Sequence, residues 1–458
     1  MLDAALSNSQ IVAAYRDRTP SSARLAGEAR RSFPSGITHD SRHLQPYGIY
    51  VTRAQGARKW DVDGNEYVDY FGGHGALLLG HNRPEVLAAI HEAVDNGSHF
   101  GANHALELRW AQAIQKLIPC AERVRFTASG TEATLMAFRL ARAYTGKRKI
   151  LHFATHFHGW QDHVTSGYSS HFDGAPTAGV LPGVAENSVL LPPNDIEAVR
   201  GALTTDDDIA GVILEPTGAS FGLVPVAPDY LAALRDLTAA REAVLIFDEV
   251  VTGFRVAPGG AQAHYGITPD LTTLAKILSG GLPGGAVVGR KDILDGLDFD
   301  ASASQGREKI QHQGTHNANP VSAAAGIAAL EIVAATDACA RANAFAAALR
   351  AKLNEVLAAE QVPWAVYGTF SGFHIFTNPK NRKITPAMFD AFDYDYQELK
   401  TNPPQVAPKL RLAMLVNGVD ITGWPGGTVS AAHTEDDLAI TVEAFREALV
   451  MLKREGEV

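Results

Sequence analysis

Val244, Leu245, Ile246 and Phe247 run straight into Asp248, and Leu271, Thr272, Thr273 and Leu274 lead to Lys276, followed by Ser279-Gly280-Gly281. Short apolar runs bounded by turn residues read as buried strands. One strand therefore delivers a carboxylate and another an amine. On neighbouring strands of one sheet, the two would meet at a single edge. That pair is what pyridoxal phosphate (PLP) chemistry requires: the lysine holds the aldehyde as a Schiff base, and the aspartate keeps the pyridine nitrogen protonated so that the ring draws electrons. Most lysines are solvated surface charges. Lys276 lies instead between an apolar strand and a turn containing Gly280, Gly281, Gly284 and Gly285. Burial there lowers its pKa and leaves it nucleophilic. Taken alone, Asp248 equally fits a helix-capping aspartate.

The elements that must position these residues alternate along the middle of the chain. Residues 124–127, 149–153, 211–214, 244–247, 271–274 and 286–288 read as buried strands, with helical periodicity between several of them, as in 132–144 and 228–241. Strands joined by crossover helices imply an α/β fold, with a mostly parallel sheet and helices on both faces. Such sheets bind ligands outside the carboxyl ends of their strands. Ser129-Gly130-Thr131 follows the first strand, Phe157-His158-Gly159 the second, Glu215 the third, Asp248 the fourth and Lys276 the fifth. Every polar constellation falls at the same end of its strand, which points to one site built from many loops.

Each motif also has an ordinary reading. Ser129, Gly130 and Thr131 open a helix whose free N–H groups suit a phosphate, or form a simple N-cap. Phe157 would lie against a flat ring, or fill the core. Val250 would pack on the opposite ring face, or be core. Thr315, in GTHNANP ahead of the small-residue helix 321–330, would cap a phosphate or merely enter that helix. His152, His156, His158, Asp162 and His163 resemble a metal cluster, but their spacing fits no helical ligand pair. A zinc hydrolase is therefore a competing class, and no metal is expected. A nicotinamide-dependent dehydrogenase is disfavoured, because no G-x-G-x-x-G follows a first strand. A non-catalytic binding protein would leave the lysine and aspartate without a purpose.

Bulk properties fit an enzyme of small molecules. At 458 residues, two domains are expected. The net charge of −10, without long runs of one sign, argues against nucleic-acid or anionic-membrane partners. Two cysteines far apart, Cys120 and Cys339, suit a reducing cytoplasm. No membrane span is expected, and the N-terminus reads as a short amphipathic helix rather than a signal peptide. Residues 60–67 suggest two strands around an Asp-Gly-Asn turn. Residues 340–358 read as a helix, followed by short strands near 368–376. The expected division is 1–80 and 335–458 forming a smaller α+β domain, with 81–334 forming the large cofactor-binding domain.

With these residues in view, the strings SGTEA, DEVVTGFRVAPGGAQAHYGITPDLTTLAK, SGGLPGG and GTHNANPVSAAAG resemble, in order, the class III (omega-type) PLP-dependent aminotransferases of fold type I. The longest string is especially similar to glutamate-1-semialdehyde aminomutase and related transaminases. The resemblance covers roughly residues 30–335. It implies PLP as cofactor, with Lys276 as Schiff-base lysine and proton shuttle, and Asp248 on the pyridinium nitrogen with Val250 behind the ring. It further implies Ser129, Gly130 and Thr131 on the phosphate, with Phe157, His158 and Glu215 completing the cofactor-binding set. Thr315 would reach the phosphate of the other subunit, so that the site forms only in a homodimer. Phe157 stands where the family usually has tyrosine. Arg42, in THDSRHLQPYG, lies near an arginine that receives the substrate carboxylate in related sequences, a role its guanidinium fork suits, or is a surface arginine; its neighbourhood departs from the aminomutase signature, which has a proline-valine-arginine run. The expected reaction is amine transfer from a carboxylate-bearing amine to a 2-oxo acid. The alternative is intramolecular transfer of the aminomutase type.

Overall fold

The computed structural model describes Leu6 and residues 8–458. The chain forms two compact units: the described residues up to Arg83 together with Ala340–Val458, and Pro84–Cys339.

The larger unit is built on seven strands: β1 (Arg123–Thr127), β2 (Lys149–Phe153), β3 (Ser188–Leu191), β4 (Ile209–Leu214), β5 (Val244–Asp248), β6 (Leu271–Ala275) and β7 (Gly285–Gly289). Their order across the sheet is β1-β7-β6-β5-β4-β2-β3. β6, β5, β4, β2 and β3 are mutually parallel. β7 runs antiparallel to both β6 and β1, which leaves β1 pointing the same way as the parallel set. The carboxyl ends of β1, β2, β4, β5 and β6 therefore share one edge, as the α/β reading requires. Two features differ from the sequence expectation. β1 is only half-buried over Val124, Arg125 and Phe126 because it is the sheet's edge. β3, the opposite edge, is half-buried throughout, and its short run Val189-Leu190-Leu191 was not among the expected strands.

The four central strands β4 to β7 are buried at every residue, and their alternation feeds two cores. Ile150, Ile213, Val244 and Ile246 pack with Met136, Phe138 and Leu140 on one face. Leu151, Val212, Leu245 and Phe247 pack with Val199, Tyr230, Leu231 and Leu234 on the other. A two-residue period places successive side chains on opposite faces, so a sheet covered on both sides must be apolar throughout. The helix that contributes Met136 and Leu140 is α1 (Gly130–Thr145), capped at its start by Ser129. A second helix, α2 (Pro320–Ala335), is buried along most of its length. Among the described residues, no single helix is long and apolar enough to cross a membrane.

The smaller unit joins residues distant in sequence. Val51–Gln55, Arg58–Asp61 and Glu66–Asp69 form an antiparallel meander, and Val419–Asp420 adds in parallel beside Glu66–Asp69. A three-stranded sheet follows the order Ala365–Tyr367, Gly372–Phe376, Gly426–Thr428. The N-terminal amphipathic helix is present over Gln10–Arg18, while positions 1–5 and 7 of that expectation lie outside the described residues.

Charge reinforces the backbone ladder between the meander and the added strand. Lys59 Nζ lies 2.7 Å from both Asp69 Oδ1 and Asp420 Oδ2, and His81 Nε2 is 2.7 Å from the second oxygen of Asp69. Burial alone would raise the Asp69 carboxyl; the Lys59 ammonium and His81 override it and hold it below the usual carboxylate range. Removing one partner from such a buried group leaves uncompensated charge. Lys59→Met is expected to destabilise the smaller unit by about 3–5 kcal/mol. Urea unfolding of the variant checks this, and a loss under about 1 kcal/mol, the worth of an exposed pair, would contradict it.

Candidate active site

Asp248 ends β5 and is buried, at 4% exposure. A carboxylate withdrawn from water needs donors, and the fold supplies three. Thr273, its parallel neighbour on β6, donates from Oγ1 to Oδ1 at 3.2 Å. The Val250 N–H donates to the same oxygen at 3.1 Å. His158 Nδ1 meets Oδ2 at 2.8 Å. A carboxylate offers about four acceptor positions. One therefore remains on Oδ2, beside a half-buried Val250.

Lys276 follows β6 on the next strand over. Its φ is +55°, left-handed geometry that a residue with a Cβ adopts only when its surroundings enforce it. The residue keeps partial exposure, but its amine is desolvated. Burial drives its pKa below the ordinary lysine value, the carboxylates of Asp248 and Glu215 pull it back, and the Arg255 guanidinium adds to the fall. Arg255 is itself 1% exposed, and burial holds it down to about 10.

Glu215 occupies the end of β4 and accepts from the backbone N–H groups of Phe157 at 2.9 Å, Ser220 at 3.1 Å and Phe221 at 3.4 Å. Ser220 and Phe221 have φ of 51° and 59°. Two successive left-handed residues aim their N–H groups at one acceptor, and the carboxylate offsets the strain. Burial raises the Glu215 carboxyl, while the nearby His158 and these backbone donors lower it.

The remaining loops interlock at two glycines. A Cβ at Gly130 would lie 3.0 Å from Val250 Cγ2 and 3.5 Å from Ala275 Cβ, so the start of α1 presses against the Asp248 loop and the residue preceding Lys276. Gly159 has φ +94°, and a Cβ there would lie 2.6 Å from Thr131 Oγ1. The His158 carbonyl also accepts from Thr134 Oγ1 at 2.7 Å. Ser129 does cap α1, its hydroxyl accepting the Glu132 N–H at 3.2 Å. The N–H groups of Gly130 and Thr131 remain without a protein acceptor at the positive end of a 16-residue helix.

Phe157 is 45% exposed, so it is not a core residue. Its ring meets Tyr168 at a centroid distance of 4.9 Å. Burial, then Glu215, push the Tyr168 phenol up to about 12.

The structure thus brings together Gly130, Thr131, Phe157, His158, Glu215, Asp248, Val250 and the Lys276 turn. Thr315 lies exposed in the turn before α2. Arg42 belongs to the smaller unit, exposed, with Nη1 2.9 Å from Thr38 Oγ1. The histidine-rich stretch disperses. His158 joins Asp248, His156 Nδ1 accepts the Glu215 N–H at 3.0 Å, and His163 Nε2 faces Arg142 at 3.2 Å. Among the described residues, no three His, Cys, Asp or Glu side chains are grouped to hold a metal.

Three supporting residues escaped the sequence reading. Thr273 carries no motif; only strand register reveals it. Tyr168 lies in an irregular segment. Glu249, next to Asp248, turns the other way and accepts from Ala261 N–H at 2.6 Å, Gln262 N–H at 3.2 Å and Thr252 Oγ1 at 2.9 Å. It closes the loop from inside.

These residues fit PLP on three counts: an open acceptor position on a buried carboxylate, unpaired N–H groups at a helix start, and a desolvated lysine at the end of the neighbouring strand. Known proteins bear on the family of the chain. The class-III aminotransferase family model matches residues 39–392. The chain is similar to a glutamate-1-semialdehyde 2,1-aminomutase of Methanothrix thermoacetophila, 38% identical over 93% of this chain and 96% of that one. It is also similar to the crystal structure of an omega-transaminase from Sphaerobacter thermophilus (33% identity, TM-score 0.86, covering 96% of this chain and 99% of that one). A solved transaminase with PLP bound aligns at TM-score 0.83 with 32% identity, over 96% and 99% of the two chains.

One buried neighbour gives this unit a pH signature. His152, on β2, has an unpartnered Nε2, and burial, then His158, push its pKa down to about 3. The unfolded chain takes up this proton near pH 6.5, whereas the folded chain does not until about pH 3. Stability is therefore lost as pH falls through that window. Between about pH 7.5 and about pH 5 the wild type should lose about 2 kcal/mol more than His152→Val. Urea unfolding at both pH values checks this, and parallel losses would contradict it.

Proposed function

Because the chain belongs to the class III aminotransferases, we propose that it moves an amino group on a carboxylate-bearing substrate through Lys276. It is a PLP-dependent enzyme, and the bound cofactor supplies an electron sink for the substrate carbon that loses a proton. The observation that carries the residue assignment is the desolvated Lys276 amine set one strand from the three-donor Asp248 carboxylate.

Lys276 would hold the cofactor's aldehyde carbon and, once released, move the proton. Its depressed pKa leaves a larger fraction of neutral amine near neutrality, the form that accepts a proton. Asp248 would use its open position to keep a proton on the pyridine nitrogen. His158, Thr273 and the Val250 N–H fix that carboxylate's direction. The N–H groups of Gly130 and Thr131, with the Ser129 hydroxyl, would hold the phosphate. Phe157 and Val250 would flank the ring. Glu215 sets the Phe157 backbone. Arg42 would receive the substrate carboxylate, and Thr315 would reach the phosphate of a partner protomer, which makes the working enzyme a homodimer. The two cysteines are both free and buried, which supports a cytoplasmic enzyme.

The leading reading of the overall reaction is intramolecular: amine and carbonyl exchange neighbouring carbons of one molecule, as in glutamate-1-semialdehyde 2,1-aminomutase. The curated relative of that name, matched over nearly the full length of both chains, supports it. The second reading is intermolecular transfer to a 2-oxo acid. The omega-transaminase neighbour and the departure around Arg42 from the proline-valine-arginine run favour it. One assay separates them. Given glutamate-1-semialdehyde and no oxo acid, the cofactor-loaded enzyme should make the exchanged isomer over many turnovers. A strict requirement for added oxo acid would transfer the case to the second reading, and no amine movement under either condition would sink both. Lys276→Ala should lower the active reaction by at least about a hundredfold. Retention of wild-type rate would remove Lys276 from its role.

A further inference from the structure

The smaller unit contains a cavity of about 420 Å³, within the range of small-molecule sites. Its lining includes His43, Leu44, Ala407 and Arg411. Ala407 and Arg411 sit four residues apart on α3 (Val406–Val416), a spacing that sets them on one helix face.

Two donors in this lining have no protein acceptor. Arg411 is 6% exposed. Its Nε and Nη2 both approach Asp420 Oδ1, but only to 3.4 Å. The other oxygen of Asp420 is taken by Lys59 at 2.7 Å. Arg411 Nη1 has no hydrogen-bond partner. Leaving a buried guanidinium N–H idle is costly, and the Phe71 ring, 4.9 Å from the guanidinium carbon, fixes the group in place.

The second donor is at the start of α3. Its N-cap residue, Gln405, supplies no side-chain cap. The Val406 N–H bonds the Pro403 carbonyl at 3.1 Å, and Pro408 has no N–H to give. The Ala407 N–H is therefore the unsatisfied first-turn donor, at the positive end of the helix dipole.

We propose that this cavity binds a small carboxylate, one oxygen on the Arg411 guanidinium, the other toward the Ala407 N–H, with the ligand's carbon chain against Leu44. A planar fork and a single amide match a carboxylate's two oxygens. A phosphate would leave acceptors unmet, because Lys59 is already engaged by Asp69 and Asp420.

This site is argued without the amine-transfer residues and stands apart from that reading. The test is isothermal titration of the cofactor-loaded enzyme with sodium butyrate, with sodium phosphate as the comparator. Wild type and Arg42→Ala should both show saturable butyrate binding, and phosphate should bind at least about tenfold more weakly. Arg411→Gln should weaken butyrate at least about tenfold. Ala407→Phe, which fills the cavity and leaves the Asp420 contacts intact, should do the same and decides the matter should Arg411→Gln not fold. Absence of saturable butyrate binding in the wild type or in Arg42→Ala, preference for phosphate, or survival of binding when Ala407→Phe is added to Arg42→Ala, which lacks the substrate's carboxylate site, would each overturn the proposal.

Discussion

A carboxylate placed at the buried end of a central strand constrains everything near it. A buried carboxylate needs hydrogen-bond donors, and three elements provide them to Asp248: the next strand through Thr273, the following turn through the Val250 amide, and the loop after β2 through His158. Three donors on a group with about four acceptor positions leave one direction open. On our proposal, that direction is where a protonated ring nitrogen belongs.

The same economy recurs around the site. Lys276, Ser220 and Phe221 all hold left-handed backbone angles. Each sits where a buried charge or a turn fixes the chain: Lys276 at the strand-to-turn junction, the other two around the Glu215 carboxylate. Strain at such positions persists because the surrounding sheet and its two cores over-determine the backbone. Glu249 extends the pattern inward, anchoring the loop that carries Val250 against Ala261 and Gln262. Much of the polar chemistry here holds loops in shape rather than facing a substrate.

The central strands and the shared edge of the polar motifs were legible because both depend on local signals: continuous apolar runs and the residues that end them. The two edge strands were harder. β3 is half-buried, with an apolar run of only three residues before Pro192-Pro193, and β1 is half-buried where a buried strand was expected. The antiparallel direction of β7 depends on a short turn after Lys276 rather than on a crossover helix. Thr273 could not be read as a site residue, because its contact with Asp248 follows from register alone. The histidine-rich stretch, which offered zinc only as a competing reading, shows the opposite case. Its members are close in sequence, but the irregular chain after β2 sends His156 to Glu215, His158 to Asp248 and His163 to Arg142. The role of Arg42 was read by resemblance and that of Thr315 from its place ahead of a helix, and both rest on the proposal.

The central claim is that one amine, at position 276, carries the cofactor. Borohydride reduction of the cofactor-loaded enzyme, followed by peptide mapping, tests it most directly. The account requires a phosphopyridoxyl mass on the peptide containing Lys276 and on no other lysine. An enzyme that catalyses amine transfer yet carries that mass elsewhere, or nowhere, would contradict it.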